Sequence, residues 1–261
     1  MALTLKDLKR TRATLPPRLL FYGPPGMGKT SLAASFPDPV FLQIEDGTPS
    51  DLEISSFGKL DTFGQVLEGL AALYTEDHQY GTVVVDSLDK LQPLVWASVC
   101  ESHKWDSIEA PGYGKGYVEA DYLWQDFIAG LNALRKDRGM AVVCIAHSDI
   151  ERFDDPTAAS YSRHQPRLHK RANAMILDEM DAVLFINREA TIKTEDQGFN
   201  KKRVHAEGGS TVFMYTEGRP AYVAKNRYGM PPKLTYHKAK GFEAIAPYLP
   251  GNSGVTEEKA A

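Results

Sequence analysis

The feature that most constrains this chain is a glycine-rich segment, Gly23-Pro24-Pro25-Gly26-Met27-Gly28-Lys29-Thr30, which has the pattern G-x-x-x-x-G-K-[ST]. Glycines at these spacings let the backbone curl so that several N–H groups point at one anion. An apolar run over 18–22 precedes the segment, and residues 29–35 follow with a helical pattern that Pro37 stops. This context predicts a phosphate-binding loop between a strand and a helix, rather than an ordinary glycine turn.

The predicted ligands of this loop are a nucleotide and Mg²⁺. The residues expected to bind the nucleotide are those of the loop together with Ser31, and the Lys29 amine can reach the β- and γ-phosphates. The Thr30 hydroxyl can hold Mg²⁺. A second predicted metal ligand is Asp86, which follows the β-branched run 82–85 and would lie beside Thr30 if the two strands are neighbours. The alternative is that Asp86 or Ser87 only caps the next helix.

Hydrolysis also needs a group that orients water, and two carboxylates compete for that role. Glu45 and Asp46 directly follow the second apolar run, residues 40–44. Side chains at the carboxyl end of a parallel sheet face the ligand crevice, so Glu45 is the favoured catalytic residue. The alternative is a solvated acid in a turn.

Strand and helix patterns alternate along the first two thirds of the chain. Strands are predicted over 18–22, 40–44, 82–85 and 140–146, and helices over 29–35, 61–74, 87–102 and 118–137. The fold class is therefore α/β, a mostly parallel sheet covered by helices on both faces. Short apolar runs over 182–187, 204–206, 210–215 and 221–224 predict a C-terminal antiparallel extension. We expect a flexible lead-in over 1–17, one domain over 18–250 and a disordered tail over 251–261.

Composition excludes several classes of protein. The 261 residues contain 30 Lys and Arg against 34 Asp and Glu, a net charge of −4, which argues against a uniformly basic nucleic-acid coat but not against a local basic patch. Two cysteines are too few for a disulfide framework. No apolar run approaches the length of a membrane span, so we expect no membrane partner and a cytoplasmic setting, in a bacterium or a phage-infected cell.

Five features in the same order make the chain resemble the RecA-like ATPases. They are the loop at 23–30, Glu45, the pair Asp86-Ser87, His147 after the run 142–146, and Lys225-Asn226-Arg227-Tyr228-Gly229. The resemblance implies that Glu45 activates water and that His147, where RecA often has glutamine, senses the γ-phosphate. It also implies that Lys225 and Arg227 reach the nucleotide of an adjacent subunit. The protein would then be a homo-oligomer, either a filament or a ring.

The resemblance covers about residues 18–236, without large accessory domains, and is greatest to the phage-encoded RecA-like single-strand annealing proteins, the Sak-four group. It implies an ATP-dependent recombination protein that binds single-stranded DNA, with a single-strand-binding protein as a candidate partner. Three alternatives stay open. They are a ring-forming, helicase-like motor, an ATP-switched module that binds protein, and a P-loop kinase for a small molecule.

Two segments are candidates for contact with single-stranded DNA, 104–117 and 148–172. Within 152–171 five basic residues stand against two acidic ones, a net charge of +3. Basic residues that bind the backbone and aromatic rings that stack on bases are the usual combination for single strands. The predicted DNA-binding residues are Tyr113, Lys115, Tyr161, Arg163, Arg167, Lys170 and Arg171. The alternative is that both segments are long surface loops with ordinary charges.

Overall fold

The computed structural model describes residues 15–155, 159–196, 202–237 and 240–250, so the predicted tail and most of the predicted lead-in lie outside the described residues. Its strands are β1 (Arg18–Gly23), β2 (Pro39–Gln43), β3 (Ser55–Lys59), β4 (Thr82–Asp86), β5 (Ala141–Phe153), β6 (Tyr161–Pro166), β7 (Ala182–Asp196), β8 (Lys202–Tyr215), β9 (Lys225–Asn226) and β10 (Lys233–Tyr236). Its helices are α1 (Lys29–Ala34), α2 (Phe63–Thr75), α3 (Leu88–His103), α4 (Lys115–Asp137), α5 (Lys170–Glu179) and α6 (Gly241–Ile245).

One sheet organises these elements, in the order β10-β8-β7-β1-β5-β4-β2-β3. The strands from β7 to β3 are mutually parallel, whereas β8 and β10 are antiparallel to their neighbours. Apolar clusters cover both faces: Leu20, Val83 and Val142 belong to one, and Phe21, Val84 and Val143 to the other. Burial on both faces explains why the central strands are continuous apolar runs. The predicted α/β class with an antiparallel extension is confirmed.

The order of the central strands differs from one premise of the sequence analysis. The strand that carries the loop and the strand that ends in Asp86 are not neighbours, because β5 lies between β1 and β4. The register nevertheless places the carboxyl ends of these strands along one edge, with Gly23 paired to His147 in β5. Residues that follow β1 and β2, the last residue of β4 and His147 within β5 therefore meet at that edge.

Several predicted loop and strand boundaries were wrong. Segment 148–172 is not a loop without internal structure, because β5 continues to Phe153 and pairs with β6 in an antiparallel hairpin, and α5 begins at Lys170. Gly208 and Gly209 do not separate two strands but lie inside β8. Residues 221–224 form no strand of their own, and the next strand, β9, begins only at Lys225. The β6 strand was not predicted because its residues are mostly polar and do not form the apolar run that marks a buried strand.

The edge strand β3 was not predicted either. All five of its residues are exposed, and Phe57 is its only large apolar side chain. An edge strand that is exposed on both faces has no hydrophobic periodicity to detect.

No helix in the described ranges is long and apolar enough to cross a membrane.

Candidate nucleotide-binding site

The glycine-rich segment forms a tight loop between β1 and α1, as predicted. Gly26 and Gly28 have φ angles of 76° and 80°, a region that residues with a Cβ seldom adopt. Gly28 immediately precedes the first residue of α1. The loop backbone thus turns back over the end of β1, in the conformation that a phosphate-binding loop requires.

The Lys29 side chain lies inside this loop. Its Nζ donates to the carbonyl oxygens of Gly23 and Pro24, both at 2.9 Å. Lys29 is only 6% exposed, and burial lowers the pKa of its amine to about 8, against the opposing effect of the Asp86 carboxylate. Loop carbonyls therefore hold the amine where the terminal phosphates of a nucleotide would be expected.

Thr30 and Asp86 meet although β5 separates their strands. The Thr30 Oγ1 donates to Asp86 Oδ2 at 2.8 Å. Burial raises the pKa of the Asp86 carboxyl to about 6, and the hydrogen bond from Thr30 opposes that effect. A hydroxyl and a buried carboxylate are hard oxygen ligands, which suit Mg²⁺ when substrate phosphates supply further ligands. The described residues contain no cluster of three His, Cys, Asp or Glu that would hold a metal ion by themselves.

Glu45 is held beside Asp86 by the backbone. The amides of Ile44 and Glu45 both donate to the Asp86 carbonyl, at 2.7 and 3.1 Å. Ser87 occupies the position before α3 but makes no side-chain cap; its hydroxyl donates to Glu45 Oε2 at 3.1 Å. The suggested capping role of the Ser87 side chain is therefore wrong, because the hydroxyl orients the Glu45 carboxylate instead.

His147 is anchored by a residue that the sequence analysis missed. Asp89, in the first turn of α3, accepts from the His147 amide at 2.9 Å and lies 3.0 Å from its Nδ1. The Asp89 side chain is 3% exposed, and Glu45 Oε2 lies 3.8 Å from the same Nδ1. Burial raises the pKa of Asp89, but the bonds with His147 outweigh that effect and lower it. The sequence offered one sign of this role: Asp89 is an acidic residue only three positions after Asp86, at the carboxyl end of β4.

These residues share one cavity of about 290 Å³ at the carboxyl edge of the sheet. Its lining includes Pro25, Gly26, Gly28, Lys29, Thr30, Ser31, Glu45, Asp86 and His147. Gly47 and Pro49 also line it, whereas Asp46 does not. The structure thus brings together most of the predicted nucleotide-binding residues with the predicted metal-binding and water-orienting ones, whereas Gly23, Pro24 and Met27 do not line this cavity.

Lys225 and Arg227 lie at the opposite edge of the sheet, where the parallel strands β1 and β7 begin. Lys225 pairs with Val183 near the start of β7, and its Nζ donates to the carbonyls of Leu177 and Asp178 at 2.8 and 2.9 Å. The Arg227 NH1 donates to Asp181 Oδ1 at 3.2 Å. The length of β1 separates this edge from the loop, about 16 Å at roughly 3.3 Å per residue. Neither side chain reaches the cavity of its own chain.

The predicted DNA-binding arginines all have partners within the chain. The Arg163 guanidinium lies 4.1 Å from the centre of the Phe153 ring, and the Arg167 Nε donates to Asp149 at 2.9 Å. Arg171 pairs with Asp121 on α4. Asp149 and Asp121 lie outside the range that gave the net charge of +3, so the local positive charge is smaller than the sequence suggested.

The remaining predicted DNA-binding residues are more accessible. Tyr113 is fully exposed, Lys115 and Lys170 are exposed, and Tyr161 is half-buried with its ring 5.4 Å from that of Phe153. The rings of Tyr117 and His169 stack at 4.1 Å. This contact joins the two predicted DNA-binding segments into one surface.

Comparison with known proteins adds one family. A family model described as an AAA domain matches residues 15–228. Among solved structures, the chain is similar to a crystal structure of the RadB recombinase, with 13% sequence identity and a TM-score of 0.49. That similarity covers 87% of this chain and 90% of the recombinase chain. No curated protein matches the sequence. The family match spans the glycine-rich loop and every residue that lines its cavity.

Proposed function

We propose that this chain, which belongs to the AAA domain family, is a Mg²⁺-dependent ATPase whose turnover is linked to binding of single-stranded DNA. Its fold is the RecA-like P-loop fold that the sequence predicts. The observation that carries the proposal is the single cavity that contains Lys29, Thr30, Glu45, Asp86 and His147. A cation, two hard oxygen ligands and a water-orienting carboxylate are groups that phosphoryl transfer to water needs, and the same cavity also contains an imidazole.

Each group has a definite task in this mechanism. Lys29 exchanges its loop carbonyls for the β- and γ-phosphates of ATP, and the loop amides bind the same phosphates. Thr30 and Asp86 would hold Mg²⁺, which neutralises developing charge on the phosphates when it is bound. Asp89 and Glu45 keep His147 in place within β5, at the position paired with Gly23, where its Nε2 can contact the γ-phosphate.

Glu45 performs the proton transfer. Its carboxylate, oriented by Ser87, accepts a proton from the attacking water while the water oxygen bonds to the γ-phosphorus. The bond between the γ-phosphorus and the β–γ bridging oxygen breaks, and ADP leaves with that oxygen. Inorganic phosphate is the second product.

Two substitutions test the ATPase assignment. Lys29→Ala should abolish both ATP binding and turnover, because the buried cation is lost. Glu45→Gln should keep ATP binding but lower kcat by about 10²–10⁴-fold, the usual contribution of a general base. Glu53→Gln, at an exposed position on the same connection, is the matched control. Unchanged turnover in Lys29→Ala would refute the proposal.

The link to DNA is supported by the hairpin of β5 and β6. The β5 strand runs from the cavity at His147 directly into the hairpin, and the Arg167 amide donates to the His147 carbonyl at 2.8 Å. Both ends of the hairpin thus meet the residue that we assign to the γ-phosphate. Ile150 on the hairpin is 65% exposed, and the fully exposed Tyr113 lies in the neighbouring segment. Exposed apolar and aromatic side chains beside lysines suit unpaired bases and their phosphates.

Lys115 and Lys170 give a sharper test of DNA binding than the three paired arginines. Replacing both lysines by alanine should weaken binding of an oligonucleotide and reduce the salt dependence by about 0.7 per lost phosphate contact. Basal ATPase activity should not change. Lys90→Ala with Lys136→Ala, two exposed lysines on α3 and α4, is the matched control. Equal DNA affinity in the two double variants would exclude the proposed surface.

We propose that Lys225 and Arg227 act on the nucleotide of a second copy of the chain, because their edge of the sheet lies opposite to their own cavity. Arg227 remains 53% exposed despite its contact with Asp181. An arginine that reaches a developing phosphoryl charge raises the rate by about 10³–10⁵-fold. A filament or ring would place one edge of a subunit against the other edge of the next.

A mixing experiment tests this shared site. Lys29→Ala lacks a working nucleotide site but keeps Arg227. Arg227→Ala keeps its nucleotide site but cannot supply the arginine to a neighbour. A mixture of the two inactive variants should regain ATPase activity, because some sites then contain both residues. Arg219→Ala, at another exposed arginine, should be active alone. No recovery in a mixture that demonstrably assembles would argue against the shared site.

The cellular role that we propose is recombination by single-strand annealing. Annealing of complementary oligonucleotides without duplex unwinding would support it. ATP-driven unwinding would instead favour the ring motor, and an ATPase that single-stranded DNA does not stimulate would favour the protein-binding module.

A further inference from the structure

One face of helix α3 joins the nucleotide-binding cavity to the proposed DNA-binding surface. Asp89, Gln92 and Trp96 are separated by three and four residues, so their side chains project from the same side of the helix. The three positions span about 10 Å at 1.5 Å per residue. Asp89 lies at the end of this face that contacts His147. The other two residues make contacts outside the cavity.

Gln92 and Trp96 contact the two segments of the proposed DNA-binding surface. The Gln92 Oε1 accepts from the His169 amide at 2.6 Å. The Trp96 ring lies edge-on to the rings of Tyr117 and His169, with centroid distances of 5.5 and 6.3 Å. His169 directly precedes one of the two exposed lysines of the DNA surface, and Tyr117 follows the other by two residues. A displacement of either lysine therefore acts on groups that α3 holds.

The short segment between His147 and α3 is held at both of its ends. The Arg167 amide donates to the His147 carbonyl at 2.8 Å, and the His169 amide donates to Gln92. Leu168, between them, is 6% exposed and packs in the apolar cluster under the sheet. Together with the contact of the first turn of α3 with His147, these bonds close a ring of contacts. The DNA surface is thus connected to the imidazole both along the backbone and through α3.

The ring contains one interrupted element, the beginning of α3. Pro93 lies inside this helix and has no N–H group, so the Asp89 carbonyl cannot accept the usual helical hydrogen bond from residue 93. The first turn of α3 is therefore joined less firmly to the rest of the helix than an uninterrupted turn would be. Pro93 is exposed and contributes little to the core. The hydrogen bond of Gln92, directly before the interruption, consequently helps to fix the first turn.

We propose that Gln92 is a positioning residue through which single-stranded DNA regulates ATP turnover. DNA bound at the two lysines fixes the stacked pair of Tyr117 and His169. Gln92 transmits the position of that pair to the first turn of α3, and so to Asp89 and His147. The inference rests on the proposed function, since it concerns the regulation of the same nucleotide site. Coupling between two sites is reciprocal, so a bound nucleotide must change DNA affinity by the factor by which DNA changes nucleotide affinity.

The experiment measures the affinity for an oligothymidine by fluorescence anisotropy, with Mg²⁺ and with or without adenylyl imidodiphosphate, an ATP analogue that is not hydrolysed. ATPase activity is measured with and without the same oligonucleotide. Gln92→Leu keeps the approximate size of the side chain but removes the acceptor, whereas Gln92→Glu retains an acceptor oxygen. Gln125→Leu, at an exposed position on α4, is the matched control.

We expect the analogue to strengthen DNA binding by about 5- to 150-fold in the wild type and in Gln125→Leu, the usual range of coupling between two sites. In Gln92→Leu this factor should fall below about twofold, outside that range. DNA affinity without nucleotide and ATPase activity without DNA should not change, and Gln92→Glu should restore the coupling. If Gln92→Leu does not fold, Pro93→Ala gives the test. It restores the missing helical bond at an exposed position and should also reduce the coupling, because the first turn is then fixed independently of DNA.

Failure of the inference and failure of the proposed function give different results. Wild-type coupling in the variant tested would overturn the role of Gln92 and leave the ATPase and its link to DNA intact. Weaker DNA binding by Gln92→Leu without nucleotide would also overturn it, because it would show damage to the DNA surface itself. A wild-type protein that binds no DNA, or that binds DNA and nucleotide independently, would contradict the proposed function, as would ATP turnover by Lys29→Ala.

Discussion

The contact between Asp89 and His147 allows a quantitative prediction. Asp89→Asn keeps the size of the side chain but removes its charge. The asparagine oxygen can still accept from the His147 amide, whereas its NH₂ group cannot accept from an Nδ1–H group. The variant therefore loses one charge-assisted hydrogen bond, that of 3.0 Å to Nδ1, in a place where Asp89 is 3% exposed.

The magnitude follows from the strength of such a bond. A hydrogen bond to a charged group contributes about 1.5–3 kcal/mol. If this bond holds His147 against the γ-phosphate only in the transition state of hydrolysis, kcat falls by roughly 10- to 150-fold while KM stays nearly constant. The same substitution leaves a buried donor without its acceptor, so the free energy of unfolding should fall by about 1–3 kcal/mol.

Steady-state ATPase kinetics and urea denaturation of the folded variant measure the two effects separately. The control is Asp137→Asn, at an exposed aspartate that accepts from Tyr74 at 3.2 Å and lies on the far end of α4. A double variant with His147→Ala should be no slower than His147→Ala alone, because residues that act as a unit are not additive. A kcat within twofold of the wild type, with ATP still bound, would refute the role of Asp89.

Three further predictions concern stability. Asp181→Asn should cost about 3–5 kcal/mol at pH 7, since this nearly buried carboxylate pairs with three arginines. Burial raises the pKa of Asp181, but the arginines outweigh that effect and lower it, so denaturation curves should converge as the pH falls below about 3.9. Tyr22→Phe should cost about 1 kcal/mol by thermal denaturation, because the hydroxyl that donates to Val223 at 2.5 Å is lost. Gly28→Ala should unfold at a lower temperature than Gly26→Ala, since both φ angles are positive but only at Gly28 does a Cβ meet Tyr236; equal losses would contradict this.

Much of the site follows from local patterns. The loop at 23–30 requires glycines for its backbone and a lysine and threonine for phosphate and metal, so its residues are recognisable without any long-range information. Glu45, Asp86 and His147 each end an apolar run, and parallel strands bring their carboxyl ends to one edge. These positions could therefore be predicted together, although the strand order was not known.

Other parts of the site depend on packing between distant segments. In the sequence Asp89 cannot be told from other acidic residues of helices. Its partner His147 lies 58 residues further along the chain, and the two meet only because α3 packs against β5. The hairpin of β5 and β6 has polar strands that pair through their backbones, which leaves little trace in the side-chain pattern. Partners such as Asp149 and Asp121, which reduce the free charge of the basic segment, likewise become visible only in the folded chain.

The amino-acid sequence alone is enough to identify a phosphate-binding loop, an α/β sheet and the acidic residues at its edge, because each of these is encoded by neighbouring residues. Strand order is a property of the whole fold. It places β5 between β1 and β4, and Lys225 and Arg227 at the edge away from their own cavity. These placements arise from contacts between residues far apart in the chain, whose burial and pairing no local window of sequence contains.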